Sequence, residues 1–169
     1  FVAPYAASPM EAKIPLLLCF PRRWGGYGLP LASLNAPIKL SSQGEVLMGL
    51  PSLAGDLVWP QHHVSIEYNS TAAHGISMQR GTWMTHDDVQ RTMREAERRR
   101  KRDETRLSAL SASGWQVYPL VDTTIYDRDS FDAVARAIAR KLGRKLKQDT
   151  AEFLTHQMRL RKELGFGRS

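Results

Sequence analysis

Between residues 55 and 70 the chain reads GDLVWPQHHVSIEYNS. Two short apolar runs, DLVWP and HVSIEY, follow one another closely. In the second, Val64, Ile66 and Tyr68 alternate with Ser65, Glu67 and Asn69, a period of two that predicts a β-strand. Paired as a hairpin, the two runs commit the chain to a sheet. Each run also carries one acid, Asp56 opening the first and Glu67 near the end of the second. Glu is depleted in strands, so its place there asks for a reason.

The remaining pattern puts helices around that sheet. SPMEAKIPLLLCF reads as a helix, with Ser8 as N-cap, Pro9 at the first helical position and Glu11 completing a capping box. Pro15 predicts a kink or an early end. PRRWGGYGLP reads as a loop, without the spacing of a phosphate loop. Residues 36–40 (APIKL) read as a first strand, and residues 70–84 as a loop. A long helix is expected from His86 to Ser113, stopped by Gly114. Its apolar stripe is Val89, Met93, Ala96, Leu107 and Leu110, with Arg100 and Asp103 in line in the gap. Those two are either paired inside or facing a polar site. WQVYPLV reads as a buried strand and FDAVARAIARKLG as an amphipathic helix capped by Asp129. A last helix starts near Asp149, with a D-x-x-E box, and stops at Gly165. The order is helix, three strands, helix, strand, helix, helix, an α/β chain. Residues 1–145 are expected to form the domain and 146–169 a C-terminal helical extension.

Composition narrows the partners. With 169 residues, 42% of them hydrophobic, and four tryptophans, the chain can bury a real core. The net charge of +7 favours an anionic partner, nucleic acid before an acidic membrane surface. Much of it sits in REAERRRKRDETR and, at residues 140–147, RKLGRKLK. Either run can be a solvated helix face or a track for phosphates. Arg98, Arg99, Arg100 and Lys101 are the candidate contacts, with Arg22 and Arg23 beside Trp24 and Tyr27 in the glycine-rich loop. No base-reading motif is visible. The single cysteine, Cys19, excludes an intramolecular disulfide and a cysteine-built zinc site, and a cytoplasmic location is expected. IPLLLCF is too short to span a bilayer, so neither a signal peptide nor a membrane helix is expected. The chain begins at Phe1 rather than Met, which leaves room for an upstream domain.

The two acids suggest chemistry. In the hairpin Asp56 comes close to Glu67, and two carboxylates that close repel unless they share a cation or a proton. Hard oxygen ligands suit Mg²⁺ or Mn²⁺, which polarises a phosphodiester and activates water. Asp56, ten intervening residues and then Glu67-Tyr68-Asn69 resembles the signature of the PD-(D/E)XK nucleases. More narrowly, the chain resembles small bacterial domains related to the very-short-patch-repair endonucleases. Glu11 in the first helix, Trp59-Pro60 after the Asp strand and His74 after the Glu strand belong to that likeness. So does the helix pattern Asp103, Arg106, Leu110, Gly114, Val117.

The resemblance implies a restriction-endonuclease-like core of helix, three-stranded meander, helix, strand and helix, with an extra C-terminal helix. It implies a metal-dependent DNA endonuclease. Asp56 and Glu67 would hold the ion, Glu11 would assist, Asn69 would orient the water and His74 would help proton transfer. From helix spacing alone, Asp103 can pair with Arg106, three residues on, or with Arg99, four residues back, and the cluster is expected mainly to support the site. One departure matters: Asn69 stands where a Lys is usual, so a cation would come from Lys39, Arg99 or Arg100, or the site would be slow or dead. The zinc-binding cysteines of the very-short-patch-repair enzymes are missing, which implies no structural zinc. Two other readings stay open. One is a decayed nuclease fold acting in nucleic-acid binding or antitoxin-like regulation. The other is an interaction domain whose basic helix meets an acidic partner. Nucleases of this kind often act as homodimers, but no self-complementary surface is legible.

Overall fold

A computed structural model describes residues 9–69 and 85–166. Within them the chain is α/β, with a four-stranded mixed open sheet covered by helices on both faces. Helix α1 (Pro9–Cys19) leads into β1 (Ser33–Lys39), and β1 and β2 (Ser52–Trp59) pair antiparallel. A short helix, α2 (Ser42–Met48), sits between them. β2 pairs antiparallel with β3 (Val64–Asn69), in the hairpin expected from the alternation. Helix α3 (His86–Ala112) then crosses to β4 (Gln116–Val121), which lies parallel to β3. Helices α4 (Asp122–Tyr126), α5 (Arg128–Lys141) and α6 (Ala151–Glu163) follow.

Alternation along the strands decides which face each residue serves. Leu57, Trp59, Val64, Ile66 and Leu120 point into the larger core, against α1, α5 and α6. Val58 points the other way, against Ala109 and Leu110 of α3 in a smaller core. The off-core face of β3 lies under α3 and is covered too: Ser65 and Glu67 are buried. Phe153, Leu160 and Phe166 place the C-terminal helical segment in the same larger core.

Several local expectations change. Helix α1 runs on past Pro15 to Cys19; a proline interrupts one backbone hydrogen bond, and the burial of Ile14, Leu17 and Leu18 holds the helix together. The α5 cap is Asp127, whose carboxylate accepts the Ser130 N–H at 2.8 Å, rather than Asp129. Thr150 caps α6. Asp149 instead gathers Arg22 at 3.2 Å and Arg136 at 2.8 Å. The apolar stripe of α3 packs only in its C-terminal part. Met93 is 66% exposed and Val89 is exposed as well. A helix of 27 residues is about 40 Å long, roughly twice the length of the six-residue strands it crosses. Its N-terminal half therefore outruns the sheet.

Candidate functional site

The acids meet because of register. Leu57 pairs with Ile66, so Asp56 and Glu67 stand opposite each other one step further along the hairpin. Opposed residues of an antiparallel pair share a face. That face is the one α3 covers. Ala109 and Leu110 press on Val58, while one and two helical turns earlier Arg106 and Asp103 come over the acids. Of the two charged residues in the gap of the helix stripe, Asp103 meets this polar part of the strand face and Arg100 does not. Asp56, Glu67, Asn69, Arg102, Asp103 and Arg106 line one open cavity of about 390 Å³.

Inside it each acid is held differently. Asp56 Oδ2 accepts the Tyr68 backbone N–H at 2.7 Å. The Tyr68 hydroxyl donates to Asp122 at 2.6 Å, tying this end of β3 to α4. Glu67 Oε2 accepts from Arg106 Nε at 2.8 Å and lies 2.8 Å from Nη2, which also donates to the Ala54 carbonyl. Glu67 Oε1 is buried with no hydrogen-bond partner among the described residues. Burial pushes the Glu67 carboxyl up to about 7; Arg106 opposes that rise, and Asp56 and Asp103 add to it. The site is an acid pair with one arginine already committed to half of it.

Arg106 takes a partner other than the one its helix spacing offers: it crosses to Glu67 rather than pairing with Asp103 three residues away. Arg100 pairs with Glu104 on the exposed side of α3, and neither it, Arg99 nor Lys39 lines the cavity. The nearby cations are Arg102 and Arg106. Arg98, Arg99 and Lys101 lie exposed on α3. Arg22 is held by Asp149 and stacks on Phe153 at 3.7 Å, while Arg23 lies over the exposed Trp24 ring at 4.7 Å. His74 and the Glu11 side chain lie outside the described residues. Among the described residues no group of three or more His, Cys, Asp or Glu could hold a metal, and no helix is long and apolar enough to cross a membrane. Tyr68 and Asp122 were invisible to sequence reasoning, because their contact spans 54 positions.

No known protein family, curated protein or solved structure matches the chain.

Proposed function

We propose that this chain is a nuclease-like protein of the PD-(D/E)XK type, hydrolysing phosphodiester bonds with Mg²⁺ or Mn²⁺ held by Asp56 and Glu67. The convergence of these two acids, opposite each other in one open cavity beside basic α3, carries the reading. The element order supports it: a helix, an antiparallel meander of three strands with α2 inserted between the first two, a helix, and a fourth strand parallel to the third. Two carboxylates suit a divalent cation that keeps several waters and takes the rest of its shell from substrate phosphate. The unpartnered Glu67 Oε1 is an oxygen donor of the right kind. Bound there, the ion would polarise the phosphoryl oxygen and lower the pKa of an attacking water.

The chain's own groups would do the rest. Tyr68 N–H fixes the Asp56 carboxylate, and Asn69 offers an amide to orient a water. Arg102 and Arg106 supply positive charge to the phosphate in place of the usual lysine. Arg106 is shared with Glu67, so this charge is weaker than that of a free lysine; losing such a donor outright commonly costs about 10²–10³ in rate, and slow turnover is expected. Exposed Arg98, Arg99 and Lys101 would follow the backbone of a nucleic acid, DNA foremost. His74 as proton carrier and Glu11 as an assisting acid complete the proposal.

One observation favours a second reading. Arg106 already neutralises Glu67, as expected of a decayed site kept for nucleic-acid binding or regulation. Plasmid incubated with Mn²⁺ separates the two. Nicking by the parent and not by Asp56→Ala/Glu67→Ala supports the enzyme. Binding without nicking, unchanged by the double substitution, supports the regulator. Calorimetric titration with Mn²⁺ adds a substrate-free measure. Because Glu67 must lose its proton to bind a cation, affinity should rise as pH increases through about 7.

A further inference from the structure

Beside the acid cavity lies a larger groove of about 710 Å³. Its floor is aliphatic, with Leu47, Leu50 and Leu53 from α2, the turn after it and the start of β2. Its wall is basic, with Arg98, Lys101 and Arg102 spaced along one face of α3. Leu47 is 48% exposed, Leu50 50% and neighbouring Val46 85%, an unusual concentration of open aliphatic surface on a seven-residue helix and its turn. No carboxylate lines the groove among the described residues.

We propose that this groove docks an acidic amphipathic helix of a partner protein. Aliphatic side chains of that helix would enter between Leu47, Leu50 and Leu53, and its carboxylates would face Arg98, Lys101 and Arg102. The combination of an apolar floor and a single-sign rim is what a helix with one apolar and one acidic face complements. Nucleic acid can engage Arg98 and Lys101 through its phosphates but fits the floor less well, because phosphates gain nothing from leucines and bases stack on aromatic rings, which the lining lacks; the two ligands would compete for the same basic wall. Residues 70–84 (STAAHGISMQRGTWM) carry Arg80 and no acid, so they do not complement the rim. Met48, Arg102 and Arg106 line both the groove and the acid cavity, so the docked helix abuts the candidate site. The inference does not depend on whether that site hydrolyses anything.

The test is fluorescence anisotropy on the full chain with three labelled probes. The first is a designed helical peptide with leucines on one face and glutamates on the other. The second is a scrambled peptide of the same composition, and the third a single-stranded oligodeoxynucleotide. Circular dichroism confirms that each variant folds. The amphipathic peptide should bind at least about tenfold more tightly than the scrambled one. Leu47→Asp/Leu50→Asp and Arg98→Glu/Lys101→Glu should each weaken it by about tenfold or more. The leucine change should leave oligonucleotide binding unaltered. Equal binding of both peptides overturns the proposal. So does a leucine change that weakens the oligonucleotide as much as the peptide, and so does no peptide binding by the folded chain.

Discussion

Glu67 keeps its proton to about pH 7 in the native state, against an ordinary value of 4.5, because burial disfavours its charged form. The native state therefore binds more protons than the unfolded one between those values. The contribution to stability is whole below about 4.5 and is lost as pH rises through about 7, a loss on the order of 3 kcal/mol. Glu67→Gln should flatten stability across this window, as read from urea midpoints between pH about 5 and about 8. A parent protein whose own Glu67-dependent stability grows over the same range would contradict the assignment. Arg106→Ala should act in the opposite pH sense. It strands a buried carboxylate near pH 8, at about 2 kcal/mol given that Arg106 is partly open to water, and costs much less near pH 5, where Glu67 is neutral. A pH-independent loss would mean that Arg106 serves the Ala54 carbonyl more than Glu67.

Among the elements, α2 shows how a small residue can set helix packing. A methyl group on Gly44 would lie 2.8 Å from the Ala109 carbonyl oxygen and 2.4 Å from Ser113 Oγ. Replacing a helical glycine by alanine normally gains up to about 1 kcal/mol of helix propensity. Here overlap with α3 backbone outweighs that gain, and Gly44→Ala should destabilise by about 1–3 kcal/mol in thermal or urea unfolding. Helix α3 makes a different prediction. Its N-terminal half is solvent-exposed, so Arg98→Ala/Arg99→Ala should leave the melting temperature nearly unchanged. If these side chains contact phosphates, the same change should lower the slope of log affinity against log salt by about two.

Across the full chain, the C-terminal segment is bound into the main core rather than laid over it. Phe153, Leu160 and Phe166 pack there, and buried Arg161 donates to the Ile125 and Tyr126 carbonyls at the end of α4 while lying against the Phe131 and Phe166 rings. Phe153→Ala should cost about 3–5 kcal/mol, lowering the urea midpoint with little change of slope and a single transition. Two resolved transitions would instead mark residues 146–169 as an independent unit.

What could be read in advance was what short-range physics controls. The two-residue period of β3, the stop at Gly114 and the amphipathic spacing of α5 all depend on neighbours within a few positions, and each was legible. Asp56 and Glu67 stood out because acids are out of place in apolar strands. Helix α2 leaves no such local signal, since SQGEVLM is short, contains a glycine and owes its helicity to packing on α3. The exposure of Val89 and Met93 was equally hidden, because a periodic stripe does not say where the covering sheet ends. The pairing of Arg106 with Glu67 over Asp103 was decided only when the sheet and α3 came together. Charges seek whatever counter-charge lies nearest in three dimensions, and a partner 39 positions away leaves no periodic trace along the chain.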